Sequence, residues 1–291
     1  MARVCIITDS NSGITQEQAK ELDIVVIPMP FYINGKEYKD GIDLSQEQFY
    51  KMLEDGYDVA TSQPSIGDLS DLWTKQLESY DEIIYIPMSS GLSSSMQTAT
   101  ALAEDEFAGK VFVVDNQRIS VTQRRSALEA KKMADKGIGA KEIKDFLLDT
   151  KFDSTIYITI DTMKYLKKGG RVTPAAATFA EILNIKPVLT IQGEKLDSYS
   201  KARGMNAAKK AMIKAIQADI DNRFGGLDTK NPRVYIDVAH TQNYDAALAW
   251  VEELKTIFPN HEFYIDPLSL SVSCHIGPGA LAITATLIHD I

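Results

Sequence analysis

The chain has 291 residues, of which 44% are hydrophobic and 24% charged, and its formal net charge is −9 at pH 7. This composition is normal for a globular protein, and the length suits two domains better than one. The acidic balance argues against a general nucleic-acid binder, because phosphate backbones are bound through clustered Lys and Arg. No apolar run approaches the roughly 20 residues that cross a bilayer. We therefore expect no nucleic-acid partner, no stable membrane insertion and a cytoplasmic location.

Metal or disulfide chemistry is not indicated by the cysteines. Cys5 and Cys274 belong to no CxxC pair, and no Cys/His cluster has zinc-binding spacing. Cys5 lies within an apolar run and is predicted to be a small buried hydrophobic residue. This usage suits a reducing compartment, and no metal or other cofactor is expected.

Strand and helix patterns alternate in the first half. Short apolar runs predict strands at 4–8, 24–28, 83–87 and 111–115. Three capping pairs predict helix starts: Thr15 with Gln18, Ser45 with Gln48, and Ser65 with Asp68. Longer helical patterns cover 118–136 and 140–149. Such alternation predicts a mostly parallel sheet flanked by helices, with any ligand beyond the carboxyl ends of the strands.

The second half has a different character. Strands are expected at 155–160, 234–239 and 263–265, helices at 206–222 and 244–257, and a hairpin around Gln192-Gly193-Glu194. A hairpin beside crossover helices predicts a mixed sheet. The predicted fold class is α/β with two domains, 1–160 with the mostly parallel sheet and 161–291 with mixed α/β structure. A ligand is expected in the cleft between them.

Two hydroxyl-rich segments are candidates for binding an anion. Thr61 and Ser62 come just before the helix start that Ser65 caps, where backbone N–H groups favour a carboxylate. Capping alone remains the commoner role of such a segment. The second segment, Ser89-Ser90-Gly91-Leu92-Ser93-Ser94-Ser95, follows the third predicted strand. Capping cannot use all of its serines, so the excess indicates a carboxylate or anion site.

Two glycine-containing segments supply further candidates for binding an anion, a basic side chain and a histidine. Gly169-Gly170-Arg171 is typical of a helix C-cap followed by an exposed Arg, or of a guanidinium held near an anion. His275 precedes Gly277-Pro278-Gly279 and an apolar run at 280–288. A lone His is more often structural. At the mouth of an apolar element, however, it would suit a carboxylate partner.

Five segments together resemble the DegV family and its fatty-acid-binding subunit of bacterial fatty acid kinase. They are Ile7-Thr8-Asp9-Ser10, Thr61-Ser62-Gln63-Pro64-Ser65, Ser89-Ser90-Gly91-Leu92-Ser93, Tyr165-Leu166-Lys167-Lys168-Gly169-Gly170-Arg171 and His275-Ile276-Gly277-Pro278-Gly279-Ala280. They occur in the family's order and span nearly the whole chain. The resemblance implies a two-domain α/β protein that buries one long acyl chain between its domains.

The resemblance also implies roles for individual residues. Thr61, Ser62, Ser93 and His275 would hold the carboxylate, with Arg171 near the head group. Arg171 and Arg203 are candidate contacts for the partner kinase. That kinase would bring ATP and magnesium, so the chain itself is expected to be a carrier and not an enzyme.

The chain also departs from the family pattern, in ways that bear on the acyl chain. Ser94-Ser95 replaces the usual Gly-Thr, and Ala282 replaces a usual Gly, which leaves the preferred acyl chain open. The segments 31–43 and 169–171 are candidate lids. Residues suggested to line the slot, although ordinary core is the commoner role for each, are Val172, Ala175, Ala176, Ala177, Phe179, Ile182 and Leu183.

Two alternatives stay open at this point. One is a serine hydrolase of lipid esters that uses Ser93, His275 and an acid such as Asp9. The other is a carrier or sensor for a different small lipid anion, without a kinase.

Overall fold

The N-terminal half is built on a parallel sheet. The structure is a computed structural model that describes residues 2–178 and 185–291. The strands are β1 (Val4–Asp9), β2 (Val25–Ile27), β6 (Glu82–Ile86) and β7 (Val111–Val113), in the order β2-β1-β6-β7. All their pairings are parallel. β1 is buried along its whole length, as expected for a strand with helices on both faces. The predicted parallel sheet is confirmed.

Helices flank this sheet, and the predicted capping pairs begin three of them. The bounds are α1 (Gln16–Leu22), α2 (Gln46–Glu54), α3 (Ile66–Gln76), α4 (Ser95–Glu106), α5 (Ser120–Asp135) and α6 (Ala140–Asp149). The side chains of Thr15, Ser45 and Ser65 each accept a hydrogen bond from the backbone amide three residues later. These hydroxyls satisfy amides that a helix start would otherwise leave without partners.

A small antiparallel sheet includes most of the segment suggested as a lid. It consists of β3 (Pro30–Ile33), β4 (Lys36–Lys39) and β5 (Val59–Thr61), in the order β4-β3-β5. Phe31 is fully buried and packs edge-to-face against Phe49. Asn34 and Gly35 both have positive φ and form the two-residue turn between β3 and β4. Gly35 serves the tight turn of this hairpin, and movement of 31–43 as a lid stays a prediction.

The C-terminal half is built on a mixed sheet. Its strands are β8 (Ser154–Thr159), β9 (Ile185–Ile191), β10 (Asp197–Arg203), β11 (Val234–His240), β12 (Ile265–Pro267) and β13 (Leu281–Leu287). Its helices are α7 (Lys164–Gly169), α8 (Pro174–Ala177), α9 (Met205–Arg223), α10 (Tyr244–Ile257) and α11 (Leu270–Ile276). The order is β10-β9-β8-β13-β11-β12, with β11 and β12 parallel and the other pairs antiparallel. The predicted hairpin and mixed sheet are both confirmed.

The two faces of the mixed sheet have different partners. Helices α9 and α10 cover one face through buried side chains such as Met212 and Trp250. Leu281 and Ile283 of β13 belong to this same cluster, whereas Ala282 belongs to another. Since side chains alternate along a strand, Ala282 and Thr284 point to the opposite face, toward the N-terminal half.

The passage from one sheet to the other lies between β7 and β8. β8 pairs with β9 and β13, so it belongs to the mixed sheet although it precedes residue 160. The domain division at 160 stays a prediction.

None of the helices in the described ranges combines the length and the apolar character needed to span a membrane. Phe179, Ile182 and Leu183, suggested as slot residues, lie outside the described residues.

Candidate functional site

A cavity of about 410 Å³ lies between the mixed sheet and the carboxyl ends of the parallel strands. One wall is the sheet face, with Ile156, Ile158, Ile191, Ala239, Ala282 and Thr284. The facing wall comes from segments that follow β1, β2, β6 and β7, with Asn11, Met29, Met88, Leu92, Ile119 and Ser120. This is where a ligand site was expected from the strand order. Most of the surface that these side chains present is apolar.

Several polar side chains collect at one end of the cavity, which we call the polar end. It is lined by Thr61, Ser62, Gln63, Ser93, Ser94, Arg171 and His275. Ser62 and Ser94 are exposed, so this end is near solvent. The structure therefore brings Thr61, Ser62, Ser93, Arg171 and His275 to one place. The roles suggested for them stay predictions.

His275 lies in the last turn of α11 and not in the glycine turn that follows it, contrary to the sequence analysis. Its Nε2 atom is 2.9 Å from Thr61 Oγ1. Burial, with a smaller contribution from the Arg171 charge, lowers the pKa of His275 from 6.5 to about 4. The imidazole is therefore neutral at pH 7. It can then donate from one ring nitrogen and accept at the other.

The glycine pair before Arg171 has the predicted structural role. Gly170 adopts a left-handed conformation, with φ of 67°, as the C-cap of α7. Arg171 Nη1 donates to the Gly169 carbonyl at 2.6 Å, and Nε donates to the Leu92 carbonyl at 3.2 Å. Arg171 is half-buried rather than freely exposed. Two backbone carbonyls thus fix a positive charge at the polar end.

In the serine-rich segment before α4, some hydroxyls make structural hydrogen bonds and others line the cavity. Ser89 is fully buried and donates to the Gly193 carbonyl at 2.5 Å. Ser93 Oγ donates to Ser95 Oγ at 3.1 Å and accepts from the Ser95 amide at 3.2 Å, while also lining the cavity. Ser94 donates to the Gln63 side chain at 3.2 Å. The Ser93 hydroxyl therefore has capacity for one more hydrogen bond as an acceptor or, by rotating, as a donor.

A buried polar network that sequence reasoning missed holds α11 against the N-terminal half. Asp40 accepts from the Leu270 amide at 3.0 Å and from Ser10 Oγ at 2.8 Å. Asn11 Oδ1 accepts from Ser269 at 3.0 Å and from Ser271 at 2.5 Å. Because α11 carries His275, these bonds fix the position of its imidazole. No short motif in the sequence marked either Asn11 or Asp40.

Other suggested residues lie away from the cavity surface. Arg203 is exposed on β10 and does not line it. Val172 and Ala176 are buried in the adjacent core cluster, and Ala175 is exposed. Ala177 is half-buried against the same cluster. None of these four residues lines the cavity, so their suggested place in the slot is not supported. Of the positions that depart from the family pattern, Ala282 and Ser94 do line it.

The hydrogen bonds of a serine-hydrolase triad are not present among the described residues. His275 pairs with Thr61, and no hydrogen bond joins it to Ser93 or Asp9 in the described residues. Asp9 instead accepts from the Met88 amide at 2.8 Å and from Gln123 at 3.1 Å. Burial raises the pKa of Asp9 to about 6. Its carboxyl group organises the loops above the sheet. Nor do the described residues contain a group of three or more His, Cys, Asp or Glu side chains that could hold a metal ion.

Known proteins are similar to this chain in sequence and in architecture. A DegV domain-containing protein of Clostridium acetobutylicum is 30% identical over 288 residues, covering 97% of this chain and 98% of that protein. A fatty-acid-binding DegV family protein from Thermus thermophilus has a TM-score of 0.88 at 28% identity, covering 98% of this chain and 100% of that one. DegV from Bacillus subtilis, a fatty acid binding protein, has a TM-score of 0.86 at 26% identity, covering 99% and 100%.

The model of one family, described as uncharacterised DegV proteins, matches residues 3–287. This match spans both sheets and every segment of the polar end. The chain therefore belongs to the DegV family.

Proposed function

We propose that this protein binds one long-chain fatty acid in the cavity and presents its carboxylate to a partner kinase, which converts it to an acyl phosphate. The observation that carries the proposal is the neutral His275 bonded to Thr61 at the polar end of an otherwise mainly apolar cavity. The structural relatives from Thermus thermophilus and Bacillus subtilis, which are fatty-acid-binding proteins, support the choice of ligand.

The two parts of a fatty acid have opposite solvation needs, and the cavity suits both. Each CH₂ that leaves water contributes about 0.8 kcal/mol of favourable free energy. A carboxylate that loses its hydration costs several kcal/mol unless donors replace the water. At the polar end, the hydroxyls of Thr61, Ser62 and Ser93 are the donors, and Arg171 supplies compensating charge. Hydrogen bonds to an ionised acceptor are the shorter and stronger kind.

The pairing of His275 with Thr61 provides a directed donor. When the neutral imidazole donates from Nε2 to Thr61 Oγ1, the threonine proton is free to point at the carboxylate. The low pKa of His275 keeps the imidazole from competing as a second cation. Among the described residues that line the cavity, positive charge then comes from Arg171, which its carbonyl contacts hold in place.

Presentation to a kinase requires a head group near the surface. Ser62 and Ser94 are exposed at the polar end, which puts the proposed carboxylate within reach of a docked partner. Arg171 and Arg203 are the proposed partner contacts, with the kinase supplying ATP and magnesium. In this proposal the chain acts in the cytoplasm as a carrier and performs no chemistry itself.

The ligand can be identified directly. Denaturing extraction of the purified protein followed by mass spectrometry is expected to yield a long-chain fatty acid. Protein that is delipidated should rebind hexadecanoic acid in a calorimetric titration. An empty protein that also fails to rebind added fatty acid would refute the proposal.

His275→Ala tests the head-group assignment. Loss of a bond that supports a charged group is expected to weaken hexadecanoic acid binding by roughly ten-fold or more. The matched control is His261→Ala, since His261 is likewise shielded from solvent but lies outside the cavity lining. Thermal unfolding of both variants shows whether the fold is kept. Wild-type affinity in a folded His275→Ala would remove the role assigned to this side chain.

The kinase step has its own test. With Mg-ATP and the ATP-binding subunit of a fatty acid kinase, the loaded protein should yield acyl phosphate. Arg203→Glu should lower that yield and leave fatty acid affinity unchanged, because Arg203 is outside the cavity. Fatty acid binding without any acyl phosphate would leave a simple lipid carrier.

A further inference from the structure

Two residues that line the cavity carry a buried hydroxyl with no hydrogen-bond partner in the described part of the chain. The hydroxyls are Thr284 Oγ1 and Ser120 Oγ. Thr284 is 1% exposed and Ser120 is 6% exposed, so bulk water does not satisfy them. A buried hydroxyl without a partner is unfavourable, and a ligand atom that pairs with it recovers that free energy.

Thr284 lies away from the polar end. β13 begins shortly after α11, and two of its residues line the cavity. Ala282 comes first, and Thr284 lies about 7 Å further along the strand. Its register partner Ile156 is likewise farther from α7 than Ile158 is. We call this region, with Thr284 and Ser120, the inner end of the cavity.

Ser120 has a neighbour that Thr284 lacks. Its hydroxyl lies beside the buried Asp266 carboxyl and favours the charged form of that group, yet neither Ser120 Oγ nor Asp266 Oδ2 completes a hydrogen bond. Ser120 can therefore turn either to Asp266 or to a ligand. Thr284 is the principal candidate to contact a ligand at the inner end.

We propose that the inner end is a second polar subsite, in which Thr284, supported by Ser120, binds an oxygen-bearing group on the distal half of the acyl chain. The preferred ligands then include hydroxy fatty acids, an assignment that rests on the proposed function. A hydroxyl group both donates and accepts, so it can pair with Thr284 whichever way that hydroxyl rotates. An unsubstituted chain would cover both protein hydroxyls without pairing them.

The test compares matched ligands on the delipidated full chain by calorimetry. The distal pairs are 16-hydroxyhexadecanoic against hexadecanoic acid, and 12-hydroxyoctadecanoic against octadecanoic acid. The wild type should prefer at least one of these hydroxy acids over its parent by roughly two- to ten-fold, the range for one neutral hydrogen bond. Thr284→Val, which keeps the shape and removes the hydroxyl, should abolish that preference. The affinity for 2-hydroxyhexadecanoic acid, whose hydroxyl is at the head group, should not depend on Thr284.

Thr286→Val is the matched control. Thr286 lies on the same strand and the same face, is fully buried, and also has an unpaired hydroxyl, but it does not line the cavity. This variant should retain the wild-type preference. It corrects for any general effect of replacing a buried Thr on β13.

The outcomes separate this proposal from the function on which it rests. If no fatty acid binds, the proposed function fails. If hexadecanoic and octadecanoic acids bind but neither distal hydroxy acid is preferred, only the inner subsite is overturned. A preference that survives Thr284→Val would also overturn it.

Discussion

Asp266 is a carboxyl group held in the protein interior, and burial raises its pKa to about 8. Its Oδ2 atom has no hydrogen-bond partner within the described ranges. Gly13 packs so closely that a Cβ there would lie 2.2 Å from this oxygen. Arg124 opposes the effect of burial, while Asp237 and Asp40 add to it. The group is therefore mostly protonated at pH 7, and folding retains a proton that the unfolded chain releases.

The buried acid makes stability depend on pH in a defined direction. The pKa of Asp266 is 3.8 unfolded and about 8 folded, so its contribution is fully present below about pH 4 and is lost as the pH rises toward 8. Asp266→Asn keeps the shape and cannot ionise. Urea unfolding should show that the variant gains stability relative to wild type between pH 5 and pH 8. An equal difference at both pH values would contradict the assignment.

Individual site residues could be predicted from the sequence where they belong to a short motif. Thr61, Ser93 and His275 each belong to a compact segment, and the structure places all three around one cavity. Asp40 and Asn11 were not recognised as positioning residues, because their partners on α11 lie 230 to 260 positions away in the sequence. A hydrogen bond over such a separation exists only once the fold has brought the segments together.

The contact between α7 and α11 depends on a glycine. A Cβ built on Gly169 would lie 2.1 Å from His275 Nδ1, well inside any normal contact. Gly169 ends α7, and its carbonyl also accepts from Arg171. One small residue therefore sets the spacing of the two elements that carry His275 and Arg171. A larger side chain would have to displace one of them.

Gly169→Ala should weaken hexadecanoic acid binding by about ten-fold, since the His275 ring must move away from Thr61 and a misplaced hydrogen bond loses most of its strength. Gly67→Ala is the control, because Gly67 also lies in a helix and a Cβ there meets only Ser65 Oγ at 3.8 Å. The control should bind normally and be slightly more stable, as Ala favours helices. Equal effects of the two substitutions on affinity would show that the contact does not matter.

Elements were predictable where their signal was local. The hydroxyls of Thr15, Ser45 and Ser65 marked helix starts because each cap bonds an amide three residues away. Asn34-Gly35 is a strong hairpin signal, but the strand that follows it could not be predicted. β4 is largely exposed and charged and lacks an apolar alternation. α11 was missed because seven residues are too few to show helical periodicity.

At the scale of the whole molecule, a buried ion pair joins the two halves beside the cavity. Arg125 of α5 donates to both carboxylate oxygens of Asp237 on β11, at 2.9 and 2.6 Å. The Asp237 side chain is fully buried and that of Arg125 is 15% exposed. Asp237 is also the register partner of Thr284 in the sheet. The pair therefore fixes the wall of the cavity against α5, and no local sequence pattern indicated it.

Arg125→Met should destabilise the protein by roughly 3–5 kcal/mol, because the fully buried Asp237 loses its partner while its desolvation remains. Methionine preserves much of the packing against Tyr235, over whose ring the guanidinium lies. The control is Lys141→Met, which removes an exposed pair with Asp145 and should change stability by less than about 1 kcal/mol. Denaturant unfolding measures both changes, and fatty acid affinity should fall only in Arg125→Met, since only that pair adjoins the cavity. An equal loss of affinity in both variants, or unchanged stability in Arg125→Met, would contradict the role given to this ion pair.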